Sequence, residues 1–412
     1  MIPYKRYVLL LCCFPLMAGC WDSIEVEERG FVTGITVDLA NESSPESSPT
    51  TTADGQNEHE NQGATNQKDT NTIKLTQQLL NPSSLGSQQS NNSNSNSASF
   101  RNLSLTGDTI IGINRDMVKQ IGRRTNVTHL NVVLFSEAVA QEEDLFANLM
   151  DIFLREKEML RNVKIAITKD EASNYLDILP ENEKIPSKYL SNVLENKSNL
   201  DIAQPITVGN VQSYLLSNRS FIIPLISQVN ETTVNYEGIS VYNGSKNKIV
   251  GTLTGDEAKG LNFIHSKNKT GTINLTFDEH NVTFEILEIK SKISLKNKKM
   301  RPLQFEITID VNSGIAEQFG SFDIMKEKNY EKLQKALEKE IKQIVLNTVS
   351  ILQNDLQTDV IGLNKHLYER HYPLWESVKD HWEKDQHIFK NSEVHITVNA
   401  TIEKPGNIIK SH

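Results

Sequence analysis

Cysteine is nearly missing from this chain: its 412 residues contain three, Cys12, Cys13 and Cys20. The first two lie in an apolar N-terminal stretch, so a chain cut before Cys20 keeps one thiol. A single thiol excludes internal disulfides and cysteine-ligated zinc, leaving size and core packing to supply stability. Long apolar runs are lacking too. A membrane-spanning helix needs roughly 20 apolar residues, whereas Tyr7 to Trp21 covers fifteen and is broken by Pro15 and Gly19. No P-loop, dinucleotide fingerprint or G-x-S-x-G elbow is present. His366, His371, His381, His387 and His395 are spaced by 5, 10, 6 and 8. Those spacings match neither a helical His-x-x-x-His face nor a zinc pattern. Acidic pairs such as Glu142-Glu143 read as solvated helical surface. The sequence singles out no catalytic residue, no metal ligand and no cofactor.

What is present begins at the N-terminus. Lys5 and Arg6 precede an apolar core from Tyr7 to Phe14, and Leu16-Met17-Ala18-Gly19-Cys20 follows as a bacterial lipobox. Residues 1–19 then form a signal peptide, and Cys20 carries diacylglycerol and acyl chains as the first mature residue. Two acyl chains suffice for stable attachment. Removing residues 1–19 removes Lys5 and Arg6, leaving 41 basic against 52 acidic residues, a balance of −11. That balance argues against a nucleic-acid partner and gives no broad attraction to anionic lipid.

Composition divides the rest. Stretches 41–71 and 83–99 are rich in Ser, Asn, Gln and Thr with almost no apolar residues, and read as surface loops. Around them Phe31–Asp38 and Ile73–Leu79 read as paired strands. A helix capped by Asp108 runs to about Arg123, and a strand covers His129–Phe135. A helical stretch from Ser136 to about Leu160 precedes a strand at Val163–Thr168, where Thr168 and Glu171 fit a capping box. Residues 20–190 therefore read as an N-terminal mixed α/β domain, and 181–205 as a connection.

A middle α+β domain covers 205–270. It holds a helix at Val208–Leu216, a strand interrupted by Pro224, a hairpin turning near Asn243-Gly244, and a helix boxed by Thr254 and Glu257. Alternating strands and a long helix from about Met325 to Leu356 make residues 271–405 an antiparallel sheet covered by helices. Glu331–Lys335 and Glu338–Lys342 are spaced for ion pairs on its solvated side. The fold class is α+β, with three mixed α/β domains.

Several short motifs recur in an order that carries a resemblance. They are Gly19-Cys20-Trp21-Asp22, Gly34-Ile35-Thr36-Val37-Asp38, Asn81-Pro82, Arg123-Arg124 with His129 to Leu134, and Asp151 to Glu156. Late in the chain come Asp359-Val360-Ile361-Gly362-Leu363 and Tyr372-Pro373-Leu374-Trp375 with Trp382. With them the chain resembles the Ger(x)C lipoproteins, C subunits of nutrient germinant receptors in endospore-forming bacteria. The loop 41–71 is longer than the family pattern, and 83–99 is richer in Asn and Ser. The resemblance implies three mixed α/β domains on the outer face of the spore inner membrane and no reaction of their own. It also implies assembly with A-type and B-type polytopic subunits that together sense nutrients.

Aromatic anchors are enriched at interfaces, so Tyr372, Trp375 and Trp382, together with Arg155, form a candidate partner surface. The competing reading packs Trp375 and Trp382 between the last helix and the sheet. Three functions follow for testing. They are a non-enzymatic receptor subunit, a solute-binding lipoprotein with a polar cleft, and an envelope enzyme with perturbed carboxylates in a pocket.

Overall fold

The computed structural model describes residues 29–40, 72–81, 99–196, 199–266, 270–297, 302–319 and 326–403. The lipobox with Cys20, and the polar stretches 41–71 and 83–98, lie outside them.

The first sheet is built around β1 (Arg29–Leu39), buried along nearly its whole length. It pairs antiparallel with β2 (Ile73–Leu80), and β2 with β3 (Phe100–Gly107). On its other side β4 (Arg124–Asn126) and β5 (Val132–Ser136) run parallel to it, and β6 (Lys164–Thr168) continues beside β5. A parallel strand needs cover on both faces, and the run Val132-Val133-Leu134-Phe135 is wholly buried. One face lies under α1 (Ile110–Ile121), α2 (Glu137–Gln141), α3 (Leu145–Arg155) and α5 (Val208–Leu216). The other lies under a 3-10 turn at Ala172–Leu176 and α4 (Pro186–Glu195).

Four local expectations change here. The cap of α1 is Thr109, whose side chain accepts Gly112 N–H, while Asp108 accepts a hydrogen bond from Thr72. The helical stretch after Ser136 breaks at Asp144, which takes φ 63° and separates α2 from α3. Thr168 donates to the Asp170 carbonyl instead of boxing a helix. The connection 181–205 contains α4, started by Pro186 in the first helical turn, a position where a missing N–H costs nothing.

The middle segment extends the same sheet. β7 (Ile206–Thr207) pairs with β6, then β8 (Phe221–Asn230), β9 (Thr233–Asn243) and β10 (Lys248–Leu253) complete the order β10-β9-β8-β6-β5-β1-β2-β3. Pro224 does not interrupt β8. It sits opposite Ile239 of β9, one residue before β8 begins its short pairing with β6, so its missing N–H breaks no bond on that side. The Thr254–Glu257 box does form: Thr254 N–H donates to Glu257 and opens α6 (Gly255–His265).

The second sheet is antiparallel over β11 (Gly271–Phe277), β12 (His280–Asn297) and β13 (Gln304–Gln318). The helix α7 (Glu327–Ser350) buries Leu333, Leu337, Ile341, Ile344, Val345 and Val349 on it, and continues as a π-helical turn through Asp355. α8 (Leu363–Arg370), α9 (Tyr372–Val378) and α10 (Ile388–Asn391) follow. After this helical crossover β14 (Glu393–Glu403) enters parallel to β13, from Gln304↔Glu393 to Gly314↔Glu403. Parallel pairing requires such a crossover. Glu338 does not pair with Lys342 here. It accepts Ala400 N–H of β14 at 3.1 Å and fastens helix to strand.

Gly34 marks a close approach. A Cβ there would stand 2.7 Å from Leu176 Cδ2 and 2.8 Å from Ser187 Cβ. Gly34→Ala should therefore cost about 2 kcal/mol by overpacking. Urea unfolding measures it, and an unchanged midpoint would contradict this packing.

Candidate partner surface and its buried carboxylates

Tyr372 and Trp375 stand one turn apart on α9, with Trp382 just beyond it. Trp382 is 3 % exposed, and its ring meets Trp375 at 5.9 Å, Phe389 at 6.1 Å and Phe305 of β13 at 6.4 Å. Trp375 is half-buried against the same core. Tyr372 is 52 % exposed and packs edge-on against exposed Tyr368, ring to ring at 5.7 Å. The exposed aromatic pair is thus Tyr368 and Tyr372, while the two tryptophans pack into the core. Arg155 stands apart, at the end of α3 on the first sheet, where Asp151 pairs with it at 2.6 Å.

The platform for those helices is a buried carboxylate. Asp359 Oδ1 accepts N–H groups from Gly362 at 2.9 Å and Leu363 at 3.3 Å. Its Oδ2 accepts Asn364 N–H at 2.7 Å and Trp382 Nε1–H at 2.9 Å. It thereby satisfies the orphan donors at the start of α8. Val360 and Ile361 bury their side chains between it and Gly362, whose φ of 99° favours glycine. The Asp359–Leu363 and Trp382 motifs meet at this one point. Burial pushes the Asp359 carboxyl above the usual range, opposed by its four donors.

A second carboxylate sits against the first. Glu383 is half-buried along its stem, but its carboxyl turns inward. Oε1 accepts Asp359 N–H at 2.7 Å, and Oε2 accepts the Ser220 hydroxyl at 2.8 Å. Ser220 in turn accepts Gly244 N–H from the β9–β10 turn. Beside it Asn243 donates to Thr358 at 2.7 Å, and its own carbonyl oxygen takes Ser245 and Lys246 N–H. Glu383 is pushed up to about 7, first by burial and also by the neighbouring Asp359, with Lys246 opposing. In the first sheet Asp38 is pushed to about 6 by burial, while it accepts Ala172 N–H at 2.6 Å and Ser173 N–H at 3.0 Å.

Neither carboxylate was singled out by sequence reasoning as a site. Asp359, three residues before Gly362, carried a capping signal. Glu383 carried none. Among the described residues no three His, Cys, Asp or Glu side chains gather as a metal site, and no helix is long and apolar enough to cross a membrane. Asp359 bonds to backbone N–H groups and Trp382, and Glu383 to Asp359 N–H and the Ser220 hydroxyl.

This is a two-sheet α+β protein of the architecture seen in a crystal structure of the GerBC protein. That structure aligns with TM-score 0.56 at 21 % identity over 82 % of this chain and 95 % of the other. Residues 22–228 match the family described as spore germination protein N-terminal domain, and residues 237–406 match spore germination B3/GerAC like, C-terminal. The chain belongs to the Ger(x)C family of spore germination proteins. Two relatives from Bacillus subtilis (strain 168) align almost end to end. Spore germination protein YndF is 27 % identical over 97 % of this chain and 95 % of its own. Spore germination protein B3 is 24 % identical over 98 % and 97 %.

The raised carboxyls set a pH dependence with a definite sign. A native pKa above the unfolded one means that the folded state holds the proton more tightly. The contribution of Glu383 is complete below about pH 4.5 and is lost as pH rises through about 7; that of Asp38 is lost through about 6. For Glu383 the loss amounts to about 3 kcal/mol. Glu383→Gln keeps an acceptor for Asp359 N–H and should flatten that part of the stability–pH curve, measured as urea midpoints from pH 5 to pH 8. A variant as pH-sensitive as the parent would remove Glu383 as the cause.

Proposed function

We propose that this chain is a lipid-anchored, non-enzymatic subunit of a nutrient germinant receptor complex, needed to trigger spore germination. Diacylglycerol and acyl chains on Cys20 hold it on the outer face of the spore inner membrane. From there it works through protein contacts with an A-type and a B-type polytopic subunit. The observation that carries this reading is the family match over residues 22–228 and 237–406, beginning two residues after the lipobox cysteine. Exposed Tyr368 and Tyr372, packed edge-on against each other, supply the kind of aromatic anchor that protein interfaces use. We treat 20–190, 205–270 and 271–405 as its three units, with the middle one sharing its sheet with the first and its core with the third.

One observation favours a second reading, direct capture of a solute. A cleft of about 740 Å³ beside β11 and α7 is lined by Asn274, Thr276, Asn281, Glu317, Lys339 and Glu340. Its convergent polar groups suit a small hydrophilic ligand. Calorimetry of the full mature chain with amino acids, sugars and nucleosides separates the two readings, since saturable heats favour capture.

Two variants test the leading reading in spores. Cys20→Ala should move the protein out of the membrane fraction and abolish nutrient-triggered germination. Tyr368→Ala/Tyr372→Ala should leave it anchored yet reduce co-purification of the polytopic subunits at least tenfold, as expected for losing two interface anchors. Membrane retention and normal germination after Cys20→Ala would defeat the anchoring claim. Undiminished co-purification of the tyrosine variant would place the contact elsewhere.

A further inference from the structure

Although the mature chain has an excess of acidic residues, one end of the first sheet is basic. The parallel strands β1, β4, β5 and β6 all start at this end, and α1 and α3 finish there. α1 closes with Gly122 at φ 67°, its N–H bonded to the Val118 carbonyl, and delivers Arg123 and Arg124 directly after. α3 closes with Arg155, and the turn into β6 reads Glu156-Lys157-Glu158-Met159-Leu160-Arg161. Arg123, Arg124 and Lys157 are exposed and make no ion pair among the described residues. Leu160, between the basic residues of that turn, is 47 % exposed.

Chain length places this end near the bilayer. Cys20 precedes Arg29, the first residue of β1, by nine positions, a reach of at most about 30 Å. A basic rim within that reach of a lipid surface is drawn to anionic headgroups over about a Debye length. An exposed leucine flanked by cations is the pattern of a segment lying in the membrane interface. We propose that this end of the first sheet is a membrane-facing surface, in which Arg123, Arg124, Lys157 and Arg161 engage anionic phospholipid headgroups and Leu160 enters the interface. The proposal rests on lipidation of Cys20. It adds that the chain stands on the bilayer in one orientation instead of swinging on its tether. The rival occupant is the acidic leader itself, with Asp22, Glu25, Glu27 and Glu28. A leader of that kind accounts for the cations but gives no role to the exposed leucine.

The lipidated mature chain has no free thiol, so one introduced cysteine takes a probe cleanly. The full lipidated protein is reconstituted into vesicles of phosphatidylcholine alone, or with about a third phosphatidylglycerol. An environment-sensitive label is placed at Leu160→Cys, or at Leu179→Cys on the opposite end of the sheet, and a headgroup-bound quencher is added. Quenching at position 160 should be about threefold greater with phosphatidylglycerol and fall in high salt, with position 179 unquenched throughout. Adding Arg123→Glu/Arg124→Glu should abolish the difference while the protein still floats with the vesicles. Protein that floats but shows equal quenching in both lipids, or is unaffected by charge reversal, overturns the membrane-facing surface and leaves the anchor intact. Quenching that appears only after the leader acids are neutralised assigns the rim to the leader, and overturns it equally. Failure to float with either vesicle sinks the anchoring reading and this inference together.

Discussion

The strand pair β9–β10 belongs to two cores at once, and the remaining architecture depends on that. Tyr242 and Ile249 point into the core beneath α2, α3 and α5. Ile239, Val241 and Leu253 point the other way, into the core that α6 and α7 share with the second sheet. On β9 alternation with period two makes this possible, since successive side chains leave a strand on opposite faces. On β10 a bulge between Ile249 and Gly251 turns Leu253 to the other core. A strand edge buried on both faces cannot shift by one residue without exchanging its two cores. Close approaches secure the same joint: a Cβ on Gly251 would stand 2.5 Å from Leu356 Cδ2, and one on Gly238 would collide with the Leu253 carbonyl oxygen. The middle segment works as the splice between the two sheets.

Three buried polar side chains, Asp38, Gln78 and Asp359, share one task. Asp38 satisfies the backbone of the turn at Ala172 and Ser173, and Asp359 that of α8. Gln78 accepts Ser187 N–H at the start of α4 and donates to the Leu176 carbonyl. These short helices carry no hydrogen-bonding cap at their own N-cap positions, so another buried side chain supplies it. It comes from β1 for the turn at Ala172, from β2 for α4, and from just ahead of the helix for α8. A short helix held this way has a fixed position as well as a start. Truncating such a side chain leaves buried donors unpaired, which costs more than the bond contributes.

Sequence reasoning succeeded where the pattern was local and repeated. The α7 stripe from Leu333 to Leu352, the alternating strands of the second sheet and the Thr254–Glu257 box all form as their spacing implies. It fell short where a distant residue decides. The Thr168–Glu171 spacing lost to Asp38, more than 130 residues away, and Glu338 turned from an expected helix partner to the backbone of β14. β14 looked like its neighbours because alternation is the same in either strand direction, and only the helical crossover makes it parallel to β13. Glu383 was invisible because nothing adjacent to it in sequence distinguishes an inward-turned carboxyl from a solvated one.

The motifs that carried the family resemblance turn out to have a particular physical character. Gly34 is a contact point for Leu176 and Ser187, Asp38 is a cap, and Asp359 with Gly362 and Trp382 forms a joint. Whereas Arg123, Arg124 and Tyr372 of the same motifs are exposed, these joint residues face inward. They specify a shape, and the surfaces that shape presents, Tyr368 with Tyr372 at one place and the basic end of the first sheet at another, lie outside those joints. A subunit that acts by contact needs this division. Its interior must hold two sheets in fixed relation so that the surfaces proposed to meet membrane and partner keep their separation. The coupled burial of β9–β10 and the Asp359–Glu383 joint supply that fixed relation between the sheets.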